Sequence, residues 1–531
     1  MEQRALLAFL ISLAIVFGYQ ALFAPVPQQV DQGPTQPLAE PERQRPVAPI
    51  AGSSVPPALA PAFAEPEQLV RVETDLYEAV FTSFGGRIKH FHLNDYAATA
   101  SADSERLDMV SSDSLLPLGA HWSRSDGQIA NDNRVSYRVT ADRSSISGGG
   151  IATVTMVGDL PDGGQITKRL ELIGDSYVLS FDLRVEGVGA SAVGVGWARQ
   201  IHETGGRFAG TEGPAAFING ELENESAVSL DEPIVLDGTL SWGGYSDHYF
   251  LAAYLPPEPA THQFVGVSSG GVAEAQLWDA EAGGRASYGL FVGPKSVQLL
   301  AVIGHDLDEA VDLGVFWFIA RPMLEMLYFL YAFLGNYGWS IVVLTIGVRL
   351  AFYPINQRQA AAMKAMQRIQ PELKKIQEKY KDDRERVSKE VMEVYRRHKV
   401  NPLSGCLPMV VQLPVFFGLY NALMQAVELR HAPFFGWIDD LSQPDRLGSF
   451  AIPFVDPPGF PVMTLLMGAS MVIQQRMTPQ TGDPMQQKMM MMMPVIFTVM
   501  FVNFPSGLVI YWFANNLMAI GQQYATNRSK S

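Results

Sequence analysis

Ser340-Ile-Val-Val-Leu-Thr-Ile-Gly-Val-Arg-Leu-Ala-Phe-Tyr353 reads as part of a membrane-spanning helix that carries a single charge, Arg349. On insertion scales an arginine there costs roughly 2.5–3.5 kcal/mol, so it ordinarily faces a polar cavity or a partner. The competing reading is an arginine that snorkels to the nearby interface, because Arg349 stands five residues before Pro354. Thr345, four residues earlier, shares its helical face.

Outward from this stretch lie four further candidate spans, so that the set is about Tyr337–Asn356, Leu403–Val427, Phe460–Gln475, Met489–Asn503 and Ser506–Gln522. None contains Asp or Glu; Glu428 sits just beyond the Leu403–Val427 run. An ion carrier ordinarily needs intramembrane carboxylates. Here the cation has no internal counter-ion, and a solvated, positively charged recess is the simplest reconciliation. Gln412, Asn503, Asn515 and Asn516 are the polar groups available to line it, with Trp512 one turn from Asn516. Asparagines that merely pack helices together are the alternative. The spans at Phe460 and Met489 fall short of the ~20 residues of a full crossing, which implies a thinned bilayer or burial in a bundle.

Charge divides the chain. Residues 25–335 carry 18 basic and 40 acidic side chains, net −22, and the remainder carries 21 and 14, net +7, which sum to the whole-chain −15. Ala5–Ala24 is free of charge for twenty residues and is long enough to span; an uncleaved anchor suits this length better than a cleaved signal peptide. Residues 25–68 form a Pro-rich linker. From 69 to 312, short alternating runs between turn residues predict an antiparallel β-sandwich: Tyr77–Phe81, Arg87–Leu93, Ile151–Val157, Gln165–Ile173, Tyr177–Val185, Val193–Ala198, Ser287–Val292 and Val297–Ile303. Residues 313–336, rich in aromatics but broken by Arg321-Pro322 and Glu325, suit an amphipathic helix lying along the interface.

Ile355–Ser404 holds thirteen Lys/Arg against seven Asp/Glu, and Arg476–Lys488, the tail and Arg4 are also basic. The positive-inside rule places all four in the cytoplasm. The loop Glu428–Gly459, with two Arg against five acids, falls outside. Six spans then satisfy every loop, with both termini cytoplasmic and the acidic β domain external. The single cysteine, Cys406, leaves that domain thiol-free.

Within 357–402, Met366, Ile369, Leu373, Ile376 and Tyr380, then Val387, Val391, Val394 and His398, follow helical spacing on either side of Lys381-Asp382-Asp383. Two antiparallel helices forming a cytoplasmic hairpin are expected. Its surplus cations, Lys374, Lys375, Lys379, Arg396 and Arg397, together with Arg476 and Lys488 on the 476–488 loop, would meet anionic lipid or a ribosome. Met485 and Met489–Met493 place six of 22 methionines in nine residues, suited either to promiscuous apolar contact or to ordinary packing. No Gly-x-x-x-x-Gly-Lys-Ser/Thr, His-Glu-x-x-His or Cys-x-x-Cys occurs. No catalytic residue, cofactor or metal is expected, and no specific nucleic-acid recognition.

Several blocks in order resemble the YidC membrane-protein insertases in their longer Gram-negative form: Val348-Arg349, Asn401-Pro-Leu-Ser-Gly-Cys-Leu-Pro408, Val427-Glu-Leu-Arg430, Asp483-Pro-Met-Gln-Gln-Lys488 and Phe504-Pro-Ser-Gly-Leu508. The resemblance implies an inner-membrane insertase and chaperone with a five-helix core (spans at 337–356, 403–427, 460–475, 489–503 and 506–522), a tail at 523–531, and a periplasmic supersandwich similar to sugar-mutarotase folds. It implies a groove containing Arg349 and Thr345, with the family's groove tyrosine falling at Trp512 while Tyr511 points elsewhere. Phe416, Phe417, Met424, Met491 and Met492 would touch the client. Nascent membrane proteins, the Sec translocon, the ribosome and lipids are the implied partners. A solute transporter or a membrane-anchored sugar-processing enzyme are the rival readings.

Overall fold

The computed structural model describes residues 66–528, apart from 102, 112–114, 125–126, 202–210, 281–282, 381–382, 399–406, 452–454, 456 and 478–483. The expected N-terminal anchor, nearly all of the linker, Cys406, the first six residues of the Asn401–Pro408 block and residues 529–531 lie outside the described residues, as do the side chains of Lys374 and Lys488.

Alternation builds the first half. Gln165–Ile173 and Val178–Glu186 each bury every second residue, and they pair antiparallel with Asp182 opposite Arg169. Leu69–Glu73, Tyr77–Thr82, Arg87–Ala97 and Arg106–Asp108 form a four-stranded antiparallel sheet, and a second, larger antiparallel sheet takes the strands from Gly119 to Pro294. Tyr77, Phe81 and Phe91 of the small sheet and Trp197, Phe181 and Phe291 of the large one share one core, each less than 2% exposed. This is the expected β-sandwich.

One expected strand is a helix. Val297–Ile303 buries Val297 and Leu300, three residues apart, and stops at Gly304, whose φ of 83° suits glycine. A short apolar run without alternation fits either period, and here the glycine stop decides. Strands such as Phe250–Leu255 and Val272–Asp279 escaped the alternation test because both faces are buried.

The second half is helical: α1 (Val297–Ile303), α2 (Trp317–Leu334), α3 (Tyr337–Ala351), α4 (Tyr353–Lys379), α5 (Arg384–Arg397), α6 (Leu407–Gln425), α7 (Val462–Met477), α8 (Pro484–Phe501) and α9 (Ser506–Arg528). α4 and α5 close the expected hairpin around Ile369, Leu373 and Val394. Among the described residues, α2 alone has the length and apolarity to cross a membrane by itself, although its sequence suggested an interfacial helix; α3 and the Met490–Phe501 part of α8 are shorter apolar helices. α9 packs on α3 and α7, α8 on α7, and α2 on α3 and α6; α6 and α8 make no comparably close backbone approach among the described residues. Gly468 permits the α7–α8 contact, since a Cβ there would stand 2.1 Å from the Thr498 hydroxyl.

The β core contains an ion cluster rather than only hydrocarbon. Asp132, fully buried, lies 2.5 Å from both Arg87 Nη2 and Lys168 Nζ and accepts from the Tyr137 hydroxyl at 2.8 Å. Lys168 also donates to the carbonyls of Gly85, Gly86 and Leu118. Burial pulls the lysine toward losing its proton, and Asp132 opposes that loss. Asp132→Ala should therefore leave two cations uncompensated and destabilise the domain by about 3–5 kcal/mol. Lys168→Met should cost less, because Asp132 keeps Arg87 and Tyr137. Urea unfolding of the full-length protein in detergent, followed by tryptophan fluorescence, checks the order; equal losses would contradict it.

Candidate functional site

Arg349 occupies the last turn of α3, where a cation complements the helix dipole. Its guanidinium does not lead away from the bundle: Nη2 donates to the main-chain carbonyl of Asn515, the tenth residue of α9, at 3.0 Å. A helical carbonyl retains a second lone pair after its i+4 bond and so can accept this proton. The Nε of Arg349 is buried with no hydrogen-bond partner among the described residues. The cation thus crosses from one helix to the next and keeps an unspent donor.

The neighbouring expected residues divide into those that gather near this contact and those that do not. Gln412 on α6 donates to the Tyr511 hydroxyl on α9 at 3.2 Å, and Tyr511 is only 2% exposed. Tyr511 lies within electrostatic range of Arg349. It therefore occupies a buried, polar position beside Trp512, the residue expected to stand at the groove. Trp512 itself joins an aromatic cluster with Phe416, Phe497 and Phe501, at ring-centroid distances of 4.8, 5.9 and 5.2 Å. Successive helical residues are about 100° apart, so Tyr511 and Trp512 meet different neighbours.

Asn516 is buried and donates to Ser470 Oγ on α7 at 3.0 Å, holding α9 against α7. Thr345 is buried too, but its hydroxyl is spent on the Ile341 carbonyl of its own helix at 2.6 Å. Asn503 sits beyond the end of α8, where its side-chain carbonyl oxygen accepts at 3.0 Å from Nη2 of Arg446, a residue of the loop before α7. Ser470 and the Asn515 carbonyl had not been singled out: a lone serine carries no pattern, and a backbone acceptor leaves no trace in sequence.

Met491 and Met492 are exposed on α8, beside exposed Val495, Ile496 and Val499. Phe416 is half-buried, and Phe417 is stacked on Phe316 at 6.2 Å. Met424 is half-buried, and its carbonyl accepts from His248 Nε2 of the β domain at 2.8 Å. Lys375, Lys379, Arg396 and Arg476 are exposed; Arg397, also exposed, pairs with Glu372 and Glu393.

The Val427–Arg430 block clamps the two halves together. Arg430 donates to the carbonyls of Ala97 and Ala98 at 2.7 and 3.0 Å, and Glu428 accepts from the Tyr328 hydroxyl on α2 at 3.0 Å. Asn421 on α6 donates to the Leu313 carbonyl at 2.9 Å. The Phe504–Leu508 block is fixed in the same manner: Ser506 is fully buried, donating through its hydroxyl to the Asp440 carbonyl and through its N–H to the Gln443 carbonyl, each at 2.8 Å.

Residues 329–531 match the model of the 60Kd inner membrane protein family, and residues 69–326 that of the YidC periplasmic domain. The membrane protein insertase YidC of Pelobacter propionicus is 38% identical, over 99% of this chain and 99% of its own length. That of Syntrophus aciditrophicus is 36% identical, over 99% of this chain and all of its own. A solved structure of an active YidC insertase aligns with 87% of this chain and 94% of its own at 19% identity, with a TM-score of 0.37. Full-length relatives of this kind do not favour the transporter or sugar-enzyme readings.

Glu428 yields a test of the clamp. Burial raises its carboxyl above the ordinary value, against hydrogen bonds from Ser296 and Tyr328 that act the other way. The folded state therefore holds this proton to higher pH than the unfolded state, so its contribution is complete below the ordinary carboxylate range and is lost as pH rises through the raised value. Glu428→Gln should flatten that part of the thermal stability profile of the full-length protein and leave it at least as stable at neutral pH. A variant whose profile retains the wild-type fall would show that another group titrates.

Proposed function

This chain belongs to the YidC family of membrane protein insertases, and from that premise we propose that the contact joining Arg349, Asn515, Gln412 and Tyr511 is the polar floor over which its clients enter the bilayer. The protein is an inner-membrane insertase with a periplasmic domain, and its clients are membrane proteins. The steps of insertion, the spans and the further partners are our reading.

In that reading α3 and α6 to α9 span the membrane, α2 lies along its outer face, the α4–α5 hairpin and both termini are cytoplasmic, and a span among residues 1–24 precedes the periplasmic domain, six in all. Two features support the placement of α2: its Arg321 pairs with Asp308 of the β-domain side at 3.0 Å, and its Tyr328 binds Glu428. The excess of Lys and Arg in the hairpin supports the orientation.

A client's hydrophilic segment enters from the cytoplasm and meets Arg349, whose positive charge attracts a carboxylate or peptide carbonyl for a time. α3 and α7 have 15 and 16 residues, only about 22–24 Å at 1.5 Å per residue against a hydrocarbon layer of roughly 30 Å, so the barrier there is thinner. The membrane potential assists outward passage of acidic residues, about 2.3 kcal/mol per charge per 100 mV. The client's apolar segment moves along α6 and α8, past Phe416, Phe417, Met424, Met491 and Met492, and partitions into lipid by its own hydrophobicity. No step consumes ATP. The chain acts alone or beside the Sec translocon, and the ribosome and anionic lipid meet the basic residues of the hairpin and Arg476.

The observation that carries this reading is that Arg349 turns toward the middle of α9 rather than away from the bundle. In vesicles containing the purified protein, Arg349→Ala should slow insertion of a client with an acidic translocated segment by roughly tenfold, equivalent to about 1.4 kcal/mol. A client with an uncharged segment should lose less. Undiminished insertion of both clients would remove the electrostatic role.

A further inference from the structure

The outer face of the four-stranded sheet carries a cluster unconnected with the helical site. Side chains alternate along a strand, so His90 and His92 share one face of Arg87–Ala97, while Phe91 and Leu93 point into the core and are fully buried. Asp108 stands directly opposite His92 in the register of the next strand. One donor atom from each of the three side chains lies within 4.8 Å of the others. His90 Nδ1 is 2.7 Å from Asp108 Oδ2, and His92 Nε2 is 3.7 Å from the same oxygen.

Two details go beyond coincidence on a polar surface. The other carboxylate oxygen, Oδ1, accepts the N–H groups of Phe91 and Val110, both at 2.9 Å, so Asp108 is held with Oδ2 turned to the imidazoles. Such outer hydrogen bonds are what orient a ligating carboxylate. His92, by contrast, is left wanting: 3.7 Å is too long for a hydrogen bond, and its Nδ1 is buried without a partner among the described residues. A tetrahedral ion with bonds of 2.0–2.1 Å holds its ligand atoms about 3.3 Å apart. That value falls between the two distances on Oδ2, so small rotations of the side chains suffice.

The cations nearby are already neutralised. Arg106 pairs with Glu78 at 2.7 Å, and Lys89 with Glu67 at 2.7 Å. Side-chain exposures of 44, 28 and 24% for His90, His92 and Asp108 leave a path for an ion from solvent and a fourth position for water or for a donor from another molecule. Two imidazoles and one carboxylate favour zinc, nickel or copper over magnesium or calcium.

We propose that His90, His92 and Asp108 bind one divalent late-3d metal ion, with zinc as the reference ion, on the outer face of the periplasmic domain. The site is independent of the insertion route through α3 and α9. The test uses the full-length, tag-free protein in detergent, with zinc titrated against a chromogenic chelator. One equivalent should bind, and His90→Ala and His92→Ala should each weaken binding at least tenfold. His398→Ala, which removes an exposed histidine paired with Glu372 on the hairpin, should change nothing. Cobalt in place of zinc should give the visible absorption of a tetrahedral centre in wild type and lose it in His92→Ala. His90 is the most exposed of the three, so His90→Ala carries the test if His92→Ala unfolds. Absence of saturable zinc binding, or binding that survives both histidine substitutions together, would overturn the proposal.

Discussion

A guanidinium in an apolar bundle that offers no carboxylate is the constraint around which the helical half is arranged. Arg349 must be satisfied, and the described structure meets it with a main-chain carbonyl of α9. A carbonyl supplies a partial charge only, so the cation is oriented without being neutralised. A carboxylate in that place would form a closed pair and leave little field for a passing segment. Retaining net charge at a helix junction costs stability, and the neighbouring contacts offset it: Asn516 to Ser470 and Gln412 to Tyr511 tie α9 to α7 and α6. α9 is thus the common member to which the cation, the amides and the aromatic cluster around Trp512 are all attached.

The β half meets the same electrostatic demand in the opposite way. Asp132 sits between Arg87 and Lys168, all three nearly or wholly buried, with the tyrosine hydroxyl and three carbonyls absorbing the remaining donors. Here the charges are closed upon one another and positioned by a core of Trp, Phe and Tyr. In the reading proposed above, burial of charge serves cohesion in one half and recognition in the other. The difference lies in whether a full counter-ion is present.

Much of this was legible because the physics leaves marks in sequence. Period-two alternation located Gln165–Ile173 to the residue, and the helical spacing of Ile369, Leu373 and Val394 disclosed the hairpin. Arg349 announced itself by standing alone among apolar residues. What could not be read was partnership. Asn503 and Asn516 look alike in sequence, yet one meets Arg446 at a helix end and the other Ser470 between helices. Tyr511 and Trp512 are adjacent, yet one meets Gln412 and the other Phe416, Phe497 and Phe501, because the facing direction depends on where α9 is anchored, at Ser506. Val297–Ile303 misled because six apolar residues in seven fit either period until Gly304 ends them.

The anchoring also gives a physical role to two of the motif blocks, Val427–Arg430 and Phe504–Leu508, which lie at helix ends on the side of the β domain. Arg430 reaches the sheet carbonyls of Ala97 and Ala98, His248 reaches Met424, and Asn421 reaches Leu313, so α6 is tied to the β domain at three points along its outer end. Ser506 and Gly507 tie the start of α9 to residues 440–443. Asp445 accepts the N–H groups of Met463 and Thr464 and so fixes the start of α7 from the same loop. Helices restrained at one end diverge or part most easily at the other. In the reading proposed above the free ends face the cytoplasm, where a client arrives, and the clamped ends face the periplasm, where a leak would be costly. In that reading, a bundle closed by outer hydrogen bonds and carrying an unneutralised cation within can admit a polar segment from one side without opening to the other.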